Sequence, residues 1–249
     1  MEFQLDKIYN EDCLVGMKRI PDKSVDAIIT DPPYELENQG GGFWSKNEDP
    51  NVNHYNARGT RKGMDKLGGI KDGISNDVLD EMCRVMKKIN IYIFCSQKQI
   101  QQYLDYFVTR RGCNWNLLAW HKTNPIPACG NKYLNDTEFI LFFREKGVKV
   151  FGSYETKRTF YVTLRNQEDN VRYGHPTVKP LGIVRNFVVN STEPGEVVLG
   201  SFIGSGTTAV AAIMEGRHYI GFETDKGYYD KAVSRIAELR ANPTLDFNS

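Results

Sequence analysis

The chain has 249 residues, 40% hydrophobic and 25% charged, with a net charge of +1. These are ordinary values for one large α/β domain or two small ones, and alone they point to no polyanionic partner. No run approaches the ~18 consecutive apolar residues of a membrane span, and the acidic opening MEFQLDKIYNEDC lacks an apolar signal region, so a cytoplasmic protein with no membrane contact is expected. Cys13, Cys83, Cys95, Cys113 and Cys129 are odd in number and form no CxxC. They fit neither a disulfide framework nor a zinc site and read as buried thiols, with no metal expected.

In chain order, residues 25–30 (VDAIIT) are a β-branched apolar run and predict a strand closing at Asp31-Pro32-Pro33-Tyr34. Residues 35–73 are rich in glycine and asparagine and lack periodicity. A loop of that length directly after the prolines is expected to be a flexible cover near a site. Residues 76–87 place Val78, Leu79, Met82, Val85 and Met86 at helical spacing behind a cap-like Ser75 or Asn76. Residues 89–95 (INIYIFC) predict a buried strand, 98–111 a helix, and 115–121 and 139–144 two further strands. Residues 181–189 read as a helix and 197–199 as a short strand. A glycine-rich turn, a helix over 207–215, a strand over 219–222 and a helix over 228–240 follow. The alternation predicts a single α/β domain over 1–249, a doubly wound and mostly parallel sheet with helices on both faces.

Charge is unevenly spread. Residues 1–38 hold nine acids and four bases, and 193–230 six acids and two bases, whereas 144–185 hold nine bases and four acids. The basic stretch over 145–174, with Lys157, Arg158, Arg165 and Arg172, is either a phosphate-facing surface or an ordinary solvated face.

Two motifs carry chemistry. Proline fixes φ and extends the residue before it, so Asp31-Pro32-Pro33-Tyr34 leaves its strand as a rigid elbow presenting a carboxylate, free carbonyls and an aromatic ring. Asp31 also suits a plain turn acid and Tyr34 plain core packing. Further on, VVLGSFIGSGTTA runs from strand through glycines into a helix, where small residues and free N–H groups let a ligand approach the backbone. Gly204-Ser205-Gly206-Thr207-Thr208-Ala209 satisfies G-x-G-x-x-G/A, and Glu223 closes the next strand, where an acid can take ribose hydroxyls. That order points to a nucleoside-bearing cofactor without naming it.

Together the motifs resemble the S-adenosylmethionine-dependent DNA amino-methyltransferases of the β arrangement, in which the elbow precedes the Phe-x-Gly-x-Gly turn. YNEDCLVGMKRIPDKSVDAIITDPPY is similar to the family's opening stretch, WHKTNPIP and EFILFFRE to its middle strands, and HPTVKP, FIGSGTT and YIGFETDKGYYDKAVSRI to its cofactor half. The resemblance implies a Rossmann-like methyltransferase fold, S-adenosylmethionine as cofactor and DNA as substrate. It also implies Asp31, Pro32, Pro33 and Tyr34 as catalytic residues. Cofactor contacts would come from Asp12, Cys13, Asp31, His175, Thr177, Lys179, Phe202, Gly204, Ser205, Gly206, Thr207, Thr208 and Glu223. Residues 145–174 become the candidate target-recognition segment, with Lys157, Arg158, Arg165 and Arg172 on DNA. A homodimer and a cognate restriction endonuclease acting at the same site are compatible partners. One departure stands out: the family usually has Asp-Pro before the Phe of the turn, and this chain has Gly200-Ser201.

The implied reaction is methylation of an exocyclic base amine. Adenine N6 is favoured over cytosine N4, because in the family Asp at the first elbow position goes more often with adenine. Two other classes stay open. A nicotinamide-dependent dehydrogenase would use the glycine turn and Glu223 but leaves the elbow unexplained. A catalytically inactive DNA-binding relative would keep the fold without turnover.

Overall fold

The computed structural model describes residues 4–34, 73–125, 133–165 and 178–242. Within them lies one eight-stranded sheet in the order β1-β8-β7-β2-β3-β5-β4-β6. Its strands are β1 (Lys7–Tyr9), β2 (Ala27–Thr30), β3 (Asn90–Cys95), β4 (Asn114–Lys122), β5 (Thr137–Arg144), β6 (Phe160–Thr163), β7 (Val197–Gly200) and β8 (His218–Phe222). Five of the seven pairings are parallel; β5 runs antiparallel between β3 and β4. The central strands β2 (AIIT) and β3 (NIYIFC) are buried along their whole length. That is why they read as unbroken apolar runs rather than as alternating ones.

Helices cover both faces. On one lie α1 (Cys13–Met17), α2 (Asn76–Val85) and α3 (Gln99–Tyr103, continued as a π-helix over Leu104–Thr109). Their Met17, Leu79, Met82, Val85 and Phe107 pack on Ile91, Ile93 and Phe143. On the other lie α4 (Leu181–Ser191), α5 (Thr207–Met214) and α6 (Lys226–Ala241), packing Phe187, Val210 and Ile236 on Tyr92, Phe94, Phe142 and Val198. Successive β3 residues thus serve opposite cores, as the two-residue period of a strand requires. Tyr92 is stacked between Phe142 and Phe187, with centroids at 4.2 and 4.3 Å. Each such fully buried side chain contributes about 1.5–3 kcal/mol of transfer free energy.

Three local features depart from the sequence reading. β1 and α1 are too short to show a period; β1 is fixed by its parallel register to β8, Lys7 opposite Ile220. The helix expected over 98–111 switches to π geometry after Tyr103. Residues 160–163, inside the basic stretch and given no element from sequence, form β6 along β4 with Ala119 opposite Phe160. The expected loop over 35–73 lies outside the described residues except Gly73, and the candidate recognition segment is described as far as Arg165.

The chain leaves β7 toward β8 on one side and β2 toward β3 on the other. A crevice therefore opens outside the carboxyl ends of β7 and β2, where open α/β sheets take their ligands. The elbow follows β2 and the glycine turn follows β7, so both motifs meet there.

Candidate active site

The elbow is held from behind. Gln99, at the start of α3 and 1% exposed, donates its Nε2 to the Pro33 carbonyl at 3.0 Å. Its own Oε1 accepts from the backbone N and hydroxyl of Ser96, both at 3.0 Å. Two prolines and this clamp leave the elbow little freedom.

A buried charge cluster lies beneath it. Lys179 Nζ sits 2.9 Å from Asp31 Oδ2 and 3.0 Å from Glu138 Oε2. Lys122 Nζ lies 2.7 Å from the other Glu138 oxygen, Oε1. The Tyr34 hydroxyl donates to Glu138 Oε2 at 3.3 Å and accepts from Lys179 at 3.2 Å. Lys179 also stands over the rings of Tyr34 and Phe94, at 5.2 and 5.1 Å from their centroids, cation–π contacts that fix the plane of Tyr34.

The cluster tunes its members. Burial pushes the Asp31 carboxyl up, and Glu138 adds to this, while Lys179 pulls it down without cancelling the rise. Burial opposes ionisation of Glu138, but Lys179 and Lys122 outweigh it and hold that carboxyl at about 2. Lys179 is held above the ordinary lysine value, because Asp31 and Glu138 overcome the burial that would lower it. Burial first, then Asp31 and Glu138, keeps Tyr34 neutral. Burial and Asp31 push the Cys95 thiol up to about 12, so this neighbour supplies no thiolate nucleophile.

Asp31 Oδ2 is engaged by Lys179; Oδ1 is buried and has no hydrogen-bond partner among the described residues. Thr30 Oγ1 and Ser201 Oγ, at the ends of β2 and β7, are orphaned in the same way. Buried polar atoms are nearly always paired. Three unpaired ones at the carboxyl ends of β2 and β7 mark a place suited to a polar ligand.

The glycine turn closes the other side. Gly204 and Gly206 take φ of +51° and +83°, a conformation L side chains rarely adopt. Gly204 N donates to Glu223 Oε2 at 3.0 Å, and Asp225 N to Oε1 at 2.9 Å. Burial raises the Glu223 carboxyl. From below, the fully buried Arg235 of α6 donates to the Ser205 carbonyl at 3.2 Å and to Thr207 Oγ1 at 3.0 Å. Phe202 packs on the core, and Thr208 Oγ1 reaches the Ile29 carbonyl of β2 at 3.4 Å. Asp12 caps α1, accepting from Leu14 and Val15 N at 2.9 and 3.2 Å. Cys13 beside it is pushed up to about 12 by burial and by Asp12, with Glu223 adding to the effect. Asp12, Cys13 and Glu223 are brought together by the pairing of β1 with β8, as Glu223 N donates to the Tyr9 carbonyl at 3.0 Å.

Lys179 is committed to Asp31 and Glu138. His175, Thr177 and Arg172 are outside the described residues. Arg165 follows β6 at the elbow end of the sheet, its backbone N bound to Asn124 Oδ1 at 2.5 Å. Lys157 and Arg158 are exposed and precede β6, at the opposite end of that strand. Arg158 is ion-paired with Glu155 at 2.5 Å. Gln99, Lys122, Glu138 and Arg235 were not singled out from sequence. Glu138 alone carries a signal, a charge at the head of an otherwise apolar strand; Gln99 and Arg235 lie in polar or charged helices and have none.

Comparison with known proteins places the chain in a family. Residues 25–234 match the DNA methylase family N6_N4_Mtase. The chain is 29% identical to the Type II methyltransferase M.HinfI of Haemophilus influenzae, over 96% of this chain and 70% of that protein. It superposes on the crystal structure of the M1.HpyAVI–SAM complex with a TM-score of 0.65 at 25% identity, covering 92% of this chain and 98% of that one. The cytosine-N4-specific PvuII DNA methyltransferase shares the fold, with a TM-score of 0.62 at 17% identity over 98% and 95% of the two chains. The chain belongs to the N6/N4 DNA methylase family, whose members methylate exocyclic amino groups of DNA bases.

Proposed function

We propose that this protein transfers a methyl group from S-adenosylmethionine to the exocyclic amine of a DNA base extruded from the duplex, adenine N6 in preference to cytosine N4. The observation that carries the reading is the division of labour at Asp31: Oδ2 is engaged by Lys179, and Oδ1 is buried, rigidly placed and unpaired.

The cofactor fits the residues present. The glycine turn brings a backbone of small residues to the crevice, Glu223 beside it offers an acceptor for ribose hydroxyls, and the buried, unpaired Ser201 and Thr30 hydroxyls stand at the ends of β7 and β2. When bound, S-adenosylmethionine supplies an electrophilic methyl on a sulfonium. The chain's own work is done on the base. An exocyclic amine is a poor nucleophile because its lone pair is delocalised into the ring. Asp31 Oδ1 accepts one N–H and the Pro32 carbonyl the other, which favours a tetrahedral nitrogen. Both acceptors are held before the base arrives, so little reorganisation is needed when charge develops. Tyr34, its plane fixed by Lys179, stacks on the base. A stacked base in a duplex is out of reach of such a site, so the nucleotide must flip. Asp31 is the acceptor for the proton that the methylated amine loses.

The preference for adenine rests on the Asp of the elbow. The basic segment around Arg165 reads the duplex beside the crevice, and the Type II designation of M.HinfI suggests a restriction endonuclease with the same target. Nucleoside mass spectrometry of unmethylated DNA incubated with protein and S-adenosylmethionine tests the reading. N6-methyladenine, abolished by Asp31→Ala, is expected. N4-methylcytosine would keep the mechanism and overturn the base. No product despite bound cofactor would refute the activity.

A further inference from the structure

Glu138 is an unusual residue to find at the start of a buried strand. Its side chain is 13% exposed, yet it touches two lysines and a tyrosine hydroxyl. We propose that Glu138 is a positioning residue that balances the charge beside Asp31, and that this balance lets the site favour the cationic sulfonium of S-adenosylmethionine over the neutral thioether left after transfer. The inference rests on the methyl-transfer reading above.

The four charges of the cluster cancel. Asp31 and Glu138 are carboxylates, and Lys179 and Lys122 are ammonium groups, joined in a chain by contacts of 2.9, 3.0 and 2.7 Å. Lys179 alone would bind Asp31 as an exclusive pair and draw on the carboxylate that must face the base. Glu138 takes part of that ammonium. Lys122 anchors Glu138 from the other side and brings the sum to zero. Glu138 stays ionised throughout the working pH range, since its two lysines hold it at about 2 against its burial.

An amide at position 138 would leave the cluster at +1. Lys179 and Lys122 are 7% and 11% exposed, so salt would screen that charge poorly. A second positive charge arriving on the cofactor would meet it; a neutral cofactor would not. Two unit charges a side chain or two apart, at an effective permittivity of ~20, shift a binding ratio on the order of tenfold to a hundredfold.

The test is calorimetric titration of the full chain with S-adenosylmethionine and with S-adenosylhomocysteine, for wild type, Glu138→Gln, Lys122→Gln and the double variant. Glu138→Gln is expected to weaken the sulfonium ligand by about tenfold or more while moving the thioether by less than about threefold. Lys122→Gln should shift the ratio of the two affinities the opposite way. The double variant, neutral again, should restore the wild-type ratio, which a merely structural role would not do. Equal weakening of both ligands by Glu138→Gln, or a double variant that keeps the skewed ratio, overturns the proposal. Should Glu138→Gln not fold, as judged by circular dichroism, Lys122→Gln decides alone, and an unmoved ratio there overturns it. Wild-type protein that binds neither ligand would instead sink the methyl-transfer reading.

Discussion

Gly200 stands directly opposite Gly221 in the register of β7 and β8. The two glycines form a notch, and the side chain of Ile203 from the glycine turn fills it. A Cβ on Gly200 would lie 2.6 Å from Ile203 Cδ1, and one on Gly221 would lie 2.8 Å from the same atom. Ordinary carbon contacts are at about 3.5–4.0 Å, so an added methyl intrudes by about 1 Å. Relief means turning the end of the buried Ile203 side chain out of the notch and repacking the residues around it. Overpacking of this kind costs about 1–3 kcal/mol. For a chain of this length each kcal/mol lowers Tm by about 2–4 °C, so Gly200→Ala should lose roughly 4–8 °C for about 2 kcal/mol. Ile203→Ala alone should cost about 2–5 kcal/mol through lost burial and a cavity. In the double variant the new methyl has room, and the combined loss should fall short of the sum by about 1 kcal/mol or more. Urea denaturation of the four proteins, read by circular dichroism, gives the cycle. Costs that add to within about 0.5 kcal/mol would refute the notch.

Three further outcomes are expected. Gln99→Ala releases the Pro33 carbonyl and should lower kcat by roughly 10- to 100-fold while leaving the Kd for S-adenosylmethionine within about twofold, because it loosens the elbow and not the cofactor turn; a rise in Kd with kcat unchanged would contradict this. Glu138 has a folded value of about 2 against 4.5 ordinarily, so its ion pairs contribute stability that is fully present above about pH 4.5 and lost as pH falls toward about 2. Acid denaturation should show this loss, up to about 3 kcal/mol, in wild type and not in Glu138→Gln. Arg165→Ala should weaken DNA binding and reduce the salt slope by about one, and charge reversal at Lys157 and Arg158 should do less, as those residues precede β6 at the end away from the elbow. Fluorescence anisotropy across a salt series checks the order, and the reverse ranking would move the DNA surface.

Periodicity and motif order made much of this molecule legible from sequence. Residues 25–30 read as a strand and 89–95 as a buried strand because both are apolar runs, and both of their faces are covered. The elbow and glycine turn were recognisable because their backbones need proline and glycine. The two fall together because β2 and β7 are neighbours, an adjacency visible only through family resemblance. Gln99, Lys122, Glu138 and Arg235 escaped notice for a physical reason: each gains its meaning from a partner far away in sequence. Glu138 opposite Trp120 and one strand-end from Lys122 is a fact of register, and nothing within TEFILFF states it. The π-helical segment escaped for another reason. Ile100, Tyr103, Leu104 and Phe107 keep a helical spacing, and one inserted backbone step over Leu104–Thr109 leaves that pattern nearly intact.

The placement of β2 between β3 and β7 also sets a schedule. Ala27 and Ile28 find their second neighbours in Val198 and Leu199, so the strand carrying Asp31 is flanked on one side only until those residues exist. At ~5–20 residues per second, ribosomes need roughly 10–30 s to travel from one to the other. Throughout that interval the nascent chain displays the whole elbow sequence with no crevice behind it. A polypeptide stopped short of β7 would carry the elbow without the strand and glycine turn that form the other side of the crevice.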